Sequence, residues 1–302
     1  MTFHTEETRM SRLAGGLATG ALVLLVAGCG GGPGGGTGAG GAGSGAASAG
    51  TPGATTDCSE AAGTPADSAA YFACRLMSAE GGRAAWKRTR YLAFHWIVDQ
   101  GGQAVADRAH RWDRRTGRYR LSFTPRDGKP FLALFDFESM RSDTTPPEGD
   151  VWVGGRKLDG AARDSALHRA YAIAINDSYW LLMPLKWDDP GVHLAYEGRT
   201  TLSDSTSYPT VHLTFESGLG VTNDEYWAFL DPESGRMAAW RYHLQGQEEK
   251  GPLIWWKGWR AFGPQGLELA TDRRVEGGGM RIHFEGVVAD TAVPDTAFAA
   301  PE

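Results

Sequence analysis

The 302-residue sequence has no basic surplus: 30 Lys and Arg stand against 36 Asp and Glu, a net charge of −6. The two signs are interspersed, so the basic surface that phosphate backbones require is missing and nucleic acid is excluded as a partner. Cysteine is scarce, with three residues, too few for a metal centre built on thiolates. No apolar run beyond the first thirty residues approaches 18, so no second membrane-spanning helix is expected. The sequence also lacks Gly-x-Ser-x-Gly, His-Glu-x-x-His, a P-loop and a dinucleotide-binding glycine fingerprint. Accordingly, no catalytic residue, metal or cofactor is assigned. A triad assembled from distant Ser, His and Asp leaves a hydrolase or metal-dependent enzyme as the third reading.

Charge is missing locally as well. No charged residue occurs from Gly30 to Thr56, and 17 of the 42 glycines fall within residues 1–56. That stretch has too little apolar surface to bury a core. Ahead of it, Arg9 and Arg12 precede an uncharged segment, Leu13 to Gly28, densest at Ala21 to Ala27, which reads as the n-region and h-region of a signal peptide. Its end, Val26-Ala27-Gly28-Cys29, resembles the bacterial lipobox, in which small residues expose the backbone to a signal peptidase and the thiol accepts diacylglycerol. The expected organisation is a lipoprotein signal peptide over 1–28, a lipidated Cys29 with a Gly-rich tether over 29–56, and one domain over 57–302. As a random coil the tether reaches about 30 Å. Three acyl chains hold a protein to a membrane far more firmly than one. Gly30, where retained lipoproteins of enteric bacteria carry Asp, resembles the outer-membrane sorting pattern. The expected location is therefore the bacterial envelope, anchored to the outer membrane and facing the periplasm.

That compartment is oxidising, and Cys58 and Cys74 remain as an even pair, so a disulfide is expected. The chain then opens with a short amphipathic helix, Ser68 to Ala79, and a brief helical turn at Gly81 to Trp86. From Tyr91 the apolar period becomes two. Strands are expected at 91–98, 103–112, 118–124 and 131–137, and again at 178–183, 192–197, 209–216, 226–231, 236–245, 253–262, 267–274 and 280–288. One helix, from Asp159-Gly160 to Asn176, interrupts them. Two turns share the pattern Asp-x-x-Ser/Thr-Gly-Arg, at Asp113 and Asp231, and mark hairpins. Strand following strand makes the class α+β with an antiparallel sheet.

Several strands are apolar on both faces, as in Leu253-Ile-Trp-Trp-Lys-Gly-Trp259 and Phe131-Leu-Ala-Leu-Phe135. A sheet of about 11–12 strands satisfies this by curling around the helix as an unclosed barrel. Its concave aromatics are either core or the walls of a site for a hydrophobic ligand. The candidate liners are Phe94, Trp96, Phe135, Trp180, Tyr226, Trp240, Tyr242, Trp255 and Trp259.

The layout of an anchored domain with a short N-terminal helix, a run of antiparallel strands, one helical interruption and more strands is similar to the LolA/LppX-like superfamily of envelope lipoprotein and lipid carriers. The motifs Gly81-Gly-Arg-Ala-Ala-Trp86, Pro184-Leu-Lys-Trp-Asp-Asp-Pro-Gly-Val192 and Asp224-Glu-Tyr-Trp followed by Asp231-Pro-Glu-Ser-Gly235 carry a closer likeness. They look most like a family of uncharacterised bacterial lipoproteins assigned to that fold. The resemblance implies an unclosed barrel capped by helices and a non-enzymatic role binding an acyl chain, lipid or lipopeptide. The alternative is a module that docks another envelope protein and has no ligand cavity. His193, His212 and His243 fall on polar strand faces, as solvated residues or, if their strands are neighbours, as zinc ligands. Asp188-Asp189 reads as part of a Pro-Gly turn rather than as an acid–base pair.

Overall fold

The structure is a computed structural model that describes residues 58, 68–140, 145–216 and 224–301. The expected signal peptide (1–28) and tether (29–56) lie outside the described residues. Helix α1, Ala69–Ala79, starts where the Ser68 hydroxyl accepts a hydrogen bond from the Tyr71 N–H at 3.2 Å, the usual way a helix satisfies its first donors. It buries Phe72, Leu76 and Met77 and ends at Gly81, whose φ is +92°. A Cβ there would stand 2.4 Å from the Gly266 carbonyl oxygen, so only glycine fits both the angle and the close approach. Helix α2, Gly82–Arg88, follows at once.

Thirteen strands form one antiparallel sheet among the described residues. In chain order they are β1 (Tyr91–Gln100), β2 (Gln103–Asp113), β3 (Arg118–Phe123), β4 (Phe131–Asp136), β5 (Gly149–Val153), β6 (Arg156–Lys157), β7 (Val192–Thr201), β8 (Ser207–Phe215), β9 (Glu225–Leu230), β10 (Met237–His243), β11 (Ile254–Lys257), β14 (Asp272–Val275) and β15 (Met280–Asp290). The spatial order is β6-β5-β4-β3-β2-β1-β15-β14-β11-β10-β9-β8-β7, with β6 and β7 as free edges. Strands β12 (Arg260–Phe262) and β13 (Leu267–Leu269) pair separately. Helix α3, Gly160–Leu182, lies on the inner face, followed by a 3-10 turn at Met183–Lys186. The class is α+β: a curved, unclosed antiparallel sheet around one central helix with a short N-terminal helix, the architecture the resemblance implies.

Helix α3 runs longer than its sequence suggests. Ser178 to Met183, expected as a strand, continues the helix because the buried stripe Leu167, Ala170, Ala174, Asp177 and Leu181 keeps a spacing of three or four. The first residue that opposes a helix is Pro184. Two expected strands are split: 253–262 at Gly258, whose φ is +71°, and 267–274 between Leu269 and Asp272. Strands β5 and β6 had no counterpart in the sequence reading.

Strands apolar on both sides serve two layers. On β11, Ile254 and Trp256 join the inner core, whereas Trp255 packs on the outer face with the cluster of Tyr208, Trp227, Phe229 and Leu253. The paired Asp-x-x-Ser/Thr-Gly-Arg turns are alike in geometry. Gly117 and Gly235 have φ of +74° and +75°, and their N–H groups donate to the carbonyls of Asp113 and Asp231.

Cys58 and Cys74 are bridged, with Cα atoms 5.6 Å apart, which ties Cys58 to α1. Closing a loop of this size stabilises by about 3 kcal/mol in the chain-entropy view. Reductant should therefore lower the thermal midpoint by several degrees and release two additional thiols under denaturing conditions; equal thiol counts with and without reductant would contradict the bridge.

Candidate functional site

Helix α3 is fastened to the sheet at two places. Asp177, fully buried, accepts hydrogen bonds from Arg108 Nε and Nη2 at 2.6 and 2.7 Å, and its Oδ2 lies 3.0 Å from His110 Nε2. His110 Nδ1 lies 2.9 Å from the Tyr119 hydroxyl. Burial pushes the Asp177 carboxyl up, but the His110 hydrogen bond and the Arg108 charge outweigh it and hold the group below the ordinary carboxylate range. Burial pulls His110 down against the opposing pull of Asp177, so the imidazole is neutral at pH 7. It then donates from Nε2 to Asp177 and accepts at Nδ1 from Tyr119. The Arg108 guanidinium lies 4.0 Å from the Trp96 ring centroid.

One turn further on, buried Arg273 donates from Nε and Nη2 to the Trp180 carbonyl at 3.1 and 2.7 Å, stacked 3.4 Å from the Trp256 ring. Nearby Glu80 is fully buried. Desolvation drives its carboxyl well above the usual range, against the opposing charges of Arg273 and Arg236.

The nine sequence-chosen aromatics do not form one surface. Phe94, Trp96, Trp180, Tyr226, Trp240 and Tyr242 share the main inner cluster, and Trp259 packs against its rim. Phe135 belongs to a second cluster with Tyr119, Leu121 and Leu167. Trp255 faces outward beside a shallow hollow of about 360 Å³. The inner aromatics retain little accessible surface, from 1 % for Phe94 and Trp240 to 5 % for Trp96 and Tyr226. Side chains lining an acyl-sized cavity would keep accessible surface toward that cavity, so α3 fills this face. The fit leaves the Nε1 of Trp96, Trp240 and Trp256 and the hydroxyl of Tyr242 buried without a hydrogen-bond partner among the described residues.

Open space lies elsewhere. Strand β2 outruns β3: their last pair is Arg108 with Phe123, and among the described residues Ala104, Ala106 and Asp107 pair only with β1, with Val105 at a bulge. The divergence opens a cleft of about 1050 Å³, at the large end for small-ligand sites. Its walls include Phe123, Leu132, Trp152 and Val105, the last 38 % exposed. Arg120, Arg126 and Arg169 also line it, and none of the three has a carboxylate partner among the described residues. The lining acid Asp107 is occupied by His95 at 2.8 Å. Arg169 also borders an adjoining hollow of about 320 Å³. The C-terminal segment approaches over the outer face, where Arg111 and Arg120 donate to the carbonyls of Ala297 and Ala299, and Pro301 reaches the cleft.

The histidines are occupied separately. His212 lies between Glu197 and Glu225 at 3.0 and 3.1 Å, His193 faces Glu216, and His243 meets the Gln247 carbonyl. No group of three metal-ligating side chains forms among the described residues. Asp188 and Asp189 take different cations, Arg83 and Lys186, as a turn does and an acid–base pair does not.

No family model matches the chain, and no curated protein does. Among solved structures it is similar to a DUF1329 family protein from Desulfovibrio piger: 13 % identity, 72 % of this chain and 95 % of that one, TM-score 0.41. It is also similar to the Mycobacterium tuberculosis lipoprotein LppX, with 9 % identity, 72 % and 94 % coverage and TM-score 0.26. MucB in its complex with MucA from Pseudomonas aeruginosa matches at 12 % identity and TM-score 0.19, over 76 % of this chain and 60 % of that one. These likenesses carry no ligand or activity to this chain.

Sequence reasoning passed over Arg108, His110 and Asp177, although Asp177 stands on the buried stripe of α3. Breaking a buried ion pair by removing one partner typically costs about 3–5 kcal/mol. Asp177→Asn should destabilise by about that amount in denaturant titration, and Asp177→Glu by less. His110 carries a lowered folded-state pKa, so below about pH 6.5 the unfolded chain takes up the proton first and stability falls with pH. Asp177, held low, keeps its contribution throughout that window. The thermal midpoint should decline between pH 7 and 5 in the wild type and more shallowly in His110→Gln; parallel slopes would remove His110 as the cause.

Proposed function

We propose that the protein is a non-enzymatic binding protein of the bacterial envelope, held by lipid on Cys29 to the outer membrane and facing the periplasm. Residues 1–28 are its cleaved signal and 29–56 its leash. Its domain takes an amphiphile, an acyl chain carrying an anionic group, in the cleft beside β2. One observation carries this reading: a cleft of about 1050 Å³ joins apolar walls at Val105, Phe123, Leu132 and Trp152 to three arginines without carboxylate partners among the described residues. Apolar walls favour the chain through the area removed from water. Guanidinium groups favour a carboxylate or phosphate head, with charge-assisted hydrogen bonds that are about twice as strong as neutral ones. The packed aromatic face holds α3 and leaves ligand binding to the cleft.

A second reading rests on the side of residues 104, 106 and 107 that has no strand partner among the described residues. An extended segment of another envelope protein can add to such an edge as a strand, with main-chain hydrogen bonds supplying affinity.

A fluorescent long-chain fatty acid should bind saturably, and Arg126→Ala with Arg169→Ala should weaken it by about tenfold or more while leaving a fatty alcohol of equal length unaffected. Wild-type protein that binds neither probe overturns the amphiphile reading in favour of the strand-edge one. Acyl mass on Cys29 in protein from bacterial membranes tests the anchor independently.

A further inference from the structure

At the opposite end of the β1–β2 ribbon from the ligand cleft is a second hollow of about 610 Å³, lined by Lys87, Arg88, Thr89, Arg90, Arg114, Arg115 and Thr291. Five of these seven residues are cations and none is an acid, in a chain whose net charge is −6. Two short basic runs, Lys87-Arg88-Thr89-Arg90 and Arg114-Arg115, supply these cations, and the fold brings the two runs together. The last turn of α2 supplies Lys87 and Arg88, the link into β1 supplies Arg90, and the β2–β3 turn supplies Arg114 and Arg115.

The neighbouring acids are already engaged. The buried Asp113 carboxylate takes both forks of Arg90 at 3.0 and 2.9 Å, the Arg115 N–H and Arg118. Asp290 turns back to the N–H groups of Thr291 and Ala292. Arg114 donates to the Trp86 and Thr89 carbonyls, leaving its Nε buried without a hydrogen-bond partner among the described residues. Lys87, Arg88 and Arg115 are exposed and have no carboxylate within ion-pair distance among the described residues. Complementing the helix C-terminus accounts for one or two basic residues in a last turn; it does not account for five converging from three elements. Like charges gathered this way repel one another until an anion occupies the space between them.

We propose that this basic hollow docks the domain onto an anionic phospholipid surface, with Lys87, Arg88 and Arg115 meeting the headgroup phosphates. The anchored reading above enters at one point only: a leash of about 30 Å keeps a membrane always within reach, which raises its effective concentration. Each basic residue at such a surface strengthens attraction several-fold, and salt screens the effect. Since β1 spans about 30 Å from Tyr91 to Gln100, docking by this end turns the ligand cleft away from the membrane.

The experiment uses the unlipidated chain from Gly30 to Glu302, which contains every described residue, in co-sedimentation with vesicles. Vesicles of phosphatidylcholine with about a third phosphatidylglycerol should bind it at least about tenfold better than phosphatidylcholine alone, and raised salt should abolish the difference. The triple variant Lys87→Ala, Arg88→Ala, Arg115→Ala alters exposed groups only. It should keep the wild-type thermal midpoint and lose at least about tenfold of the anionic preference. Equal binding to both vesicles, or an unchanged triple variant, overturns the proposal. Saturable binding of inorganic phosphate at this site by protein that ignores both vesicles also overturns it and assigns the hollow to a free anion. Because the chain used carries no lipid, none of these results depends on whether Cys29 is acylated.

Discussion

A carboxylate buried in the middle of a helix needs compensating charge and hydrogen bonds, and the way Asp177 obtains them organises this fold. Its partners, Arg108 and His110, alternate on the inner phase of β2, so satisfying the carboxylate fixes both the position of α3 and the register of the strand beneath it. Arg273 repeats the device one turn later through the Trp180 carbonyl. Between these two fastenings α3 closes over the aromatic layer. A group that gains little net stability from being buried as an ion gains specificity instead: a helix shifted by one turn leaves Asp177 among apolar side chains.

The same fastening explains where the ligand cleft lies. With α3 covering the inner face, the cleft of about 1050 Å³ lies where strands of unequal length part company. Strand β2 continues past Phe123 while the chain of β3 turns away toward β4, and arginines from β3, the β3–β4 loop and α3 converge on the gap. The two ends of the β1–β2 ribbon thereby acquire different characters. One is an amphiphilic cleft, the other a concentrated basic hollow.

Much of this architecture is legible in the sequence because it depends on local patterns. Period-two runs, Gly-containing turns and the Ser68 cap place most strands and α1 near their observed positions, and the two Asp-x-x-Ser/Thr-Gly-Arg turns have the same geometry in space. The end of α3 is less legible. Tyr179 and Trp180 read as strand residues by type, and only tertiary packing of the Leu167-to-Leu181 stripe keeps them helical. The site is less legible still. Tryptophan stands on both phases of Ile254–Lys257, so residue type alone does not separate Trp256, in the inner core, from Trp255, facing outward. The signal that was available is an acid on an apolar stripe. Asp177, spaced three from Ala174, required a cation from across the core, and the inner phase of β2 offers Arg108. No sequence spacing reports the cleft itself, since it arises from a difference in strand length between neighbours.

The central claim is that α3 is locked on the aromatic face and that ligands bind elsewhere. Hydrogen exchange of the backbone amides from Ala170 to Leu182 tests it most directly, because this segment spans both fastenings. The account predicts exchange only through global unfolding, with protection unchanged when a saturating long-chain fatty acid is added and new protection confined to residues 104–107 and the β3–β4 loop. Exchange of α3 through a separate, low-energy opening, altered by the fatty acid, would contradict the account. It would mean that the helix lifts to admit an acyl chain among the aromatics, whose unpartnered indole and phenol donors would then face the ligand.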